Sequence, residues 1–189
     1  TKTQQKSLWP IYATGFFVMV LFYMLPTQFP YLIMDQLKGD PSDIGMVIAA
    51  SMLINAIAAM QYAKLKAIFG FTKLFAIIFL LFGIGLMVIA VAETILHLYA
   101  STIFMGIGFG LTMVNINAWL LSEVEASKRG KATGKLTSAM FLGQFFSPIL
   151  FEPIVVQIEI QGLFMVMAFV VWIVSAVIFA KLKMSVHQA

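Results

Sequence analysis

The sequence predicts an all-α integral membrane fold with six transmembrane helices. Two observations carry that reading: the apolar surplus of the chain, and the way lysines punctuate its apolar runs. Of 189 residues, 61% are hydrophobic and only 11% charged. A soluble domain carries about 25% charged residues, and a globule of this length has too little interior to hide so much apolar surface. Hydrocarbon is the solvent that resolves the mismatch.

A helix needs about 20 apolar residues to cross roughly 30 Å of hydrocarbon. Six runs qualify. Helix A is expected from Trp9 to Met34, B from Ile44 to Tyr62, and C from Leu74 to Ala92. D follows from Leu96 to Leu121, E from Ala132 to Val156, and F from Leu163 to Ala180. None alternates apolar and polar residues as a lipid-facing barrel strand does. Residues 1–189 therefore read as a single six-helix domain, with residues 1–8 as a cytoplasmic lead-in and 181–189 as a cytoplasmic tail.

Charge sets the orientation. Lys2 and Lys6 precede A; Lys64, Lys66 and Lys73 lie between B and C; Lys128, Arg129, Lys131 and Lys135 lie between D and E; Lys181 and Lys183 follow F. Only Lys38 falls in the other connections, so eleven of the twelve basic residues share one side. Six of the eight acids fall on the opposite side: Asp35, Asp40, Asp43, Glu93, Glu152 and Glu159. The positive-inside rule makes the lysine side cytoplasmic. Both termini are then inside, and the expected location is the cell (inner) membrane.

The net charge of +4 is dispersed in short clusters, without the aromatic-interleaved basic patch of a nucleic-acid binder, so no nucleic-acid partner is expected. The absence of cysteine excludes disulfides, thiolate metal sites and cysteine catalysis. No HExxH helix, nucleophile elbow, phosphate loop or potassium filter occurs. His97 and Glu93 read as a solvated interfacial pair near the outer end of D, and Glu152 as a headgroup-level residue. No ionisable residue lies mid-span, which argues against a proton relay within this chain. Neither an enzyme activity, nor a metal, nor a cofactor is expected.

Polar residues inside spans must face protein or water. C and F are nearly pure apolar and read as lipid-facing. D carries Gly108, Thr112, Asn115 and Trp119 on one face, and Gly106, Gly110 and Asn117 on another. Gly106–Gly110 on D, and Gly143–Ser147 on E, are small-xxx-small pairs suited to close helix approach. E also carries Thr137, Met140 and Gln144 along a stripe, B aligns Ser51, Asn55 and Tyr62, and A offers Tyr12, Phe16, Tyr23 and Thr27 with Gln28 beside them. Such residues serve more often as interhelical glue than as ligand contacts. Pro26 and Pro30 are expected to kink A, and Pro148 to kink E.

Two stretches carry a family resemblance. Leu25-Pro26 and Tyr31-Leu32 lead through an acidic loop into Ser42-Asp43-Ile44-Gly45-Met46. Ser122-Glu123 and Lys128-Arg129-Gly130-Lys131-Ala132-Thr133-Gly134 lead into Leu142-Gly143-Gln144 and Ser147-Pro148. The pattern resembles the C-terminal six-helix half of the major facilitator superfamily, in its drug:proton antiporter-like members. One departure stands out: Ala67 and Ile68 occupy the positions of the family's Asp-Arg in the loop between B and C.

The resemblance implies half of a major facilitator fold, built as two inverted three-helix repeats. It implies one half of a secondary active, efflux-type transporter that works by alternating access against a second six-helix bundle. That bundle is either an N-terminal half, toward which Thr1 and its Lys/Gln-rich lead-in point, or a homodimer mate. Any proton-coupling carboxylate then sits in the partner. Tyr23, Met24 and Gln28 on A, with Thr112, Asn115 and Trp119 on D, would line the path of the small-molecule substrate. Their apolar, aromatic character suits lipophilic or amphipathic solutes. Glu123 and Arg129 would contribute to a cytoplasmic gate. Two other readings fit the size: a substrate-capture subunit of an energy-coupling vitamin transporter, and a non-transporting membrane scaffold.

Overall fold

The computed structural model describes residues 7–187, with side chains to 182, so Lys2 and Lys6 and the side chains of Lys183 and His187 lie outside the described residues. Helix α1 spans Trp9–Tyr31 and passes directly into a π-helical turn, Leu32–Gln36. Helix α2 spans Pro41–Ala90, α3 spans Ile95–Ser122, a 3₁₀ turn covers Ala126–Lys128, and α4 spans Arg129–His187. No strand occurs among the described residues. All four helices are long and apolar enough to cross a membrane.

Local chemistry explains the helix starts. Pro10 sits in the first turn of α1 and Pro41 in that of α2, where a missing N–H costs nothing. The Asp40 N–H donates to Asp43 Oδ2 at 2.8 Å, fixing the start of α2. Thr94, in extended backbone, precedes α3, and its hydroxyl lies 3.0 Å from His97 Nδ1. His97 is thus held by a neighbour within the helix start. The two prolines of α1, Pro26 and Pro30, stand inside the helix, and the widened turn at Leu32–Gln36 follows them at once.

Where six helices were expected, the structure has four continuous ones, two of them interrupted at single residues. Gly70 in α2 has φ 68°, ψ −178°, and Glu159 in α4 has φ 63°, ψ 170°. Both lie in the expected gaps, between Tyr62 and Leu74 and between Val156 and Leu163. A straight helix the length of α2, 50 residues, would run about 75 Å. It does not extend so far. Gly106 of α3 abuts Ser51, and Gly108, half a turn on, abuts Phe82. Residues from both sides of Gly70 therefore lie along one short stretch of α3. α4 likewise meets α1 through Gly143 and Ser147, before its break, and through Phe164 against Phe29, after it.

Helix packing corrects one expectation. The stretch read as C, being bare of polar groups, was expected to face lipid. Instead Leu74, Phe75, Ala76, Ile78, Phe82, Leu86, Ile89 and Ala90 are buried. They are enclosed by α1, α3 and the end of α4: Phe82 against Gly108, Leu80 and Ala76 against Trp172 and Ser175. In hydrocarbon an apolar surface is equally at home against lipid or protein, so lack of polarity alone does not assign the side. The stretch read as F does keep an open apolar face, through Phe169, Ile173 and Val177.

Candidate functional site

The expected solute path runs along α1 and α3, and the structure separates its six residues. Thr112 is buried, and its hydroxyl donates to the Gly108 carbonyl at 2.7 Å. Asn115 is fully buried: its Oδ1 accepts from the Tyr62 hydroxyl at 3.1 Å, and its Nδ2 donates to the Phe71 carbonyl at 3.2 Å. Trp119 is half-buried with its ring edge-on to Phe75, centroids 5.9 Å apart. All three turn toward the second half of α2. On that geometry Thr112 and Asn115 have hydrogen-bond partners inside the bundle.

Asn115 does something the spacing did not disclose. Tyr62 precedes the Gly70 break and Phe71 follows it, so one amide on α3 ties together the two arms of the reversal in α2. The Phe71 carbonyl belongs to the first turn after the break. A buried amide is tolerated in hydrocarbon only with its hydrogen bonds made, and here both ends are used.

On α1, Tyr23 is exposed, whereas Met24 and Gln28 are buried at 0% and 2%. Thr27 Oγ1 closes back on the Tyr23 and Met24 carbonyls, both at 3.0 Å. Among the described residues the Gln28 amide makes no hydrogen bond, yet its polar atoms are not cut off from the surface. Two further amides are under-used. Asn117 is half-buried and donates from Nδ2 to the Met113 carbonyl at 2.8 Å, leaving its oxygen uncommitted. Gln144 on α4 donates only to the thioether of Met19, at 3.5 Å, a weak acceptor. Both were visible as polar positions on their helices, but their spacing alone did not rank them above Asn115.

The small residues mark where backbones touch. A Cβ at Gly106 would lie 2.6 Å from the Ser51 carbonyl oxygen, and one at Gly110 would strike the Asn55 carbonyl. On α4, a Cβ at Gly143 would strike the Phe16 carbonyl, and Ser147 Oγ donates to the Val20 carbonyl at 2.8 Å. α3 thus seats on α2, and α4 on α1.

At the junction of α3 and α4 the Arg129 guanidinium donates to the Leu121 and Val124 carbonyls, each at 3.4 Å. It thereby caps the C-terminus of α3, where a cation is favoured. The ion pair recorded in this turn joins Lys128 to Glu125 at 3.1 Å, with both side chains exposed. Exposed pairs contribute about 0–1 kcal/mol, so this one supplies little gating strength.

A pocket between α1, the second half of α2, and α3 is lined by Val18, Leu21, Phe22, Ile78, Phe79, Phe82, Phe109 and Thr112. Phe22 and Phe109 stack across it at 3.5 Å. Its free volume, ≈ 10 Å³, is about that of one water and cannot admit a solute. No group of three or more His, Cys, Asp or Glu suited to a metal occurs among the described residues.

Comparison with known proteins agrees with the helical, apolar architecture. The sequence pattern of the Major Facilitator Superfamily matches residues 11–188. The riboflavin transporter RibZ of Clostridioides difficile (strain 630) is 25% identical over 113 residues, which cover 60% of this chain and 25% of that relative. The matched part is therefore a minority of the relative's length. The chain is a multi-pass membrane protein that belongs to the Major Facilitator Superfamily.

Proposed function

We propose that this chain is a six-span bundle of a secondary active transporter, moving a small lipophilic or amphipathic solute by alternating access against a second bundle. The observation that carries the reading is the pair of breaks. Gly70 and Glu159 share one backbone geometry, φ 68°/ψ −178° and φ 63°/ψ 170°, each near residue thirty of a helix too long for one crossing. Splitting α2 and α4 there yields six spans of bilayer length. The two close helix pairs, α3 on the first arm of α2 and α1 on the first arm of α4, then exchange under an inverted three-helix repeat. Lysine asymmetry puts both termini in the cytoplasm.

The solute path lies on open faces rather than in the closed pocket. Tyr23, Asn117 and Gln144 keep exposed surface, while Gln28, though buried, keeps an uncommitted amide; we assign all four to the solute or to the second bundle, with Trp119 at the inner edge. Met24, Thr112 and Asn115 hold the bundle. Arg129 braces the inner end of α3 and, with Glu123, takes part in closure on that side. A flat heteroaromatic solute is the first candidate, since the similar protein is a riboflavin transporter and the chain offers aromatic surface with few amides. The superfamily match leaves a vitamin-capture subunit without support.

Topology and path are tested separately. With no native cysteine in these residues, Asp40→Cys and Thr72→Cys can be introduced into the complete polypeptide. A membrane-impermeant maleimide on intact cells should label Asp40→Cys at once, and Thr72→Cys only after permeabilisation; the reverse pattern overturns the topology. For the path, Gln144→Leu should lower riboflavin uptake or export at least several-fold at equal expression. Unchanged transport of every solute tried would remove Gln144 from it.

A further inference from the structure

The reversal of α2 carries a charge arrangement that the transporter reading leaves unused. Lys64, Lys66 and Lys73 surround Gly70, all exposed. The sequence has no acidic residue from 44 to 92, and among the described residues none of the three lysines pairs with a carboxylate. Two of them are held instead by aromatic faces, and in crossed fashion. Lys66 Nζ, before the break, lies 4.8 Å from the ring centroid of Phe71, after it. Lys73 Nζ, after the break, lies 5.4 Å from the ring of Phe69, before it.

A π face steadies an ammonium by attraction to the ring quadrupole while leaving most of its N–H donors free. The two cations are therefore positioned on either side of one turn with donors to spare, an arrangement that fits the oxygens of a phosphate. The same turn presents Ile68 at 72% exposure, next to exposed Ala67 and Thr72. A soluble anion has no use for an apolar side chain at that level. A phosphate carrying acyl chains does, because its glycerol and first methylenes lie beside the charge.

We propose that the turn around Gly70 is a binding site for the phosphate headgroup of an anionic phospholipid, with Lys66 and Lys73 as the paired cations, Lys64 adding charge, and Ile68 against the acyl region. The site requires that α2 cross the bilayer twice, but not that the protein transport anything. Its failure is thus distinguishable from failure of the transporter reading.

The test uses the complete polypeptide purified into nanodiscs of phosphatidylcholine containing phosphatidylglycerol, with retained lipid counted by native mass spectrometry. A juxtamembrane lysine strengthens anionic-lipid binding about fivefold, so Lys66→Gln with Lys73→Gln should retain roughly 25-fold less phosphatidylglycerol at unchanged phosphatidylcholine. Lys66→Arg with Lys73→Arg keeps both charges and should retain lipid like the parent, which separates loss of the site from loss of the fold. Lys131→Gln with Lys135→Gln, at the other inner turn, removes the same charge away from the site and should lose clearly less phosphatidylglycerol than the Lys66/Lys73 glutamine pair. The proposal is overturned if the glutamine pair retains phosphatidylglycerol fully, or if the control pair loses as much, which would mean diffuse charge attraction. It is also overturned if inorganic phosphate displaces the lipid, which would mark a site for free anions.

Discussion

Replacing Asn115 by Leu, alone and with Tyr62→Phe, measures what the amide contributes to the reversal of α2. Leucine copies the branched outline of asparagine but makes neither hydrogen bond. The Tyr62 hydroxyl, on a residue only 8% exposed, would lose its acceptor at 3.1 Å. The Phe71 carbonyl would lose the donor at 3.2 Å but keep its place as an acceptor in the helix that follows. The hydroxyl is therefore the costlier orphan, at about 1–3 kcal/mol for a buried group left unsatisfied. Interhelical hydrogen bonds measured within membranes average about 0.6 kcal/mol and reach about 1.7. Taking both scales, Asn115→Leu should destabilise the bundle by about 2 kcal/mol and Tyr62→Phe by about 1. The double variant should be no worse than Asn115→Leu, because the hydroxyl it orphans is gone, giving a coupling of about 1 kcal/mol. Reversible unfolding by sodium dodecyl sulfate in mixed micelles reads all four corners of the cycle. Additivity within about 0.3–0.5 kcal/mol, the scatter expected of independent sites, would refute the argument that this amide clamps the two arms together.

Two further substitutions probe the backbone. Glu159→Gly should stabilise the chain by about 1 kcal/mol in the same assay: the φ/ψ region it occupies costs a side chain about 1–3 kcal/mol, against roughly 0.5–1 for the extra freedom of glycine. Loss of stability would mean the Glu159 side chain makes up for its strain. Gly110→Ala should destabilise by about 1–3 kcal/mol, since its methyl meets the Asn55 carbonyl, a backbone atom that cannot swing aside. Gly134→Ala, where a Cβ meets nothing within 4 Å, should instead gain up to about 1 kcal/mol from helix propensity. Equal effects at the two glycines would sink the close-approach reading of α3 on α2.

Much of the fold was legible because the bilayer imposes a length on every apolar run and lysines interrupt the runs. Both breaks fall inside gaps that the sequence marks, although α2 stays helical two turns past Tyr62: the residues of the gap, Ala63 to Phe69, are competent helix formers, and only Gly70 departs from helical backbone. The small-residue pairs were legible for a related reason, since Gly and Ser at i, i+4 have few uses in a span other than close approach. What stayed hidden was which side each helix turns. For C, apolarity suited core and lipid equally. For D, two polar faces competed, and counting polar groups favoured Thr112, Asn115 and Trp119. The structure turns that face inward, because Asn115 answers Tyr62, 53 residues away, a partnership no local spacing encodes.

That partnership bears on how the two breaks differ. Gly70 adopts its backbone without strain, and the reversal there is held by Asn115 and by lysines on rings. Glu159 adopts nearly the same backbone with a side chain that disfavours it, and the recorded tie beside it is Gln161 Nε2 to the Ala92 carbonyl at 2.7 Å. If alternating access flexes one end of the bundle more readily, the physical expectation is the end around Glu159. Strain there lowers the cost of leaving the present backbone geometry, whereas parting the arms at the Gly70 end must first break a buried amide's hydrogen bonds.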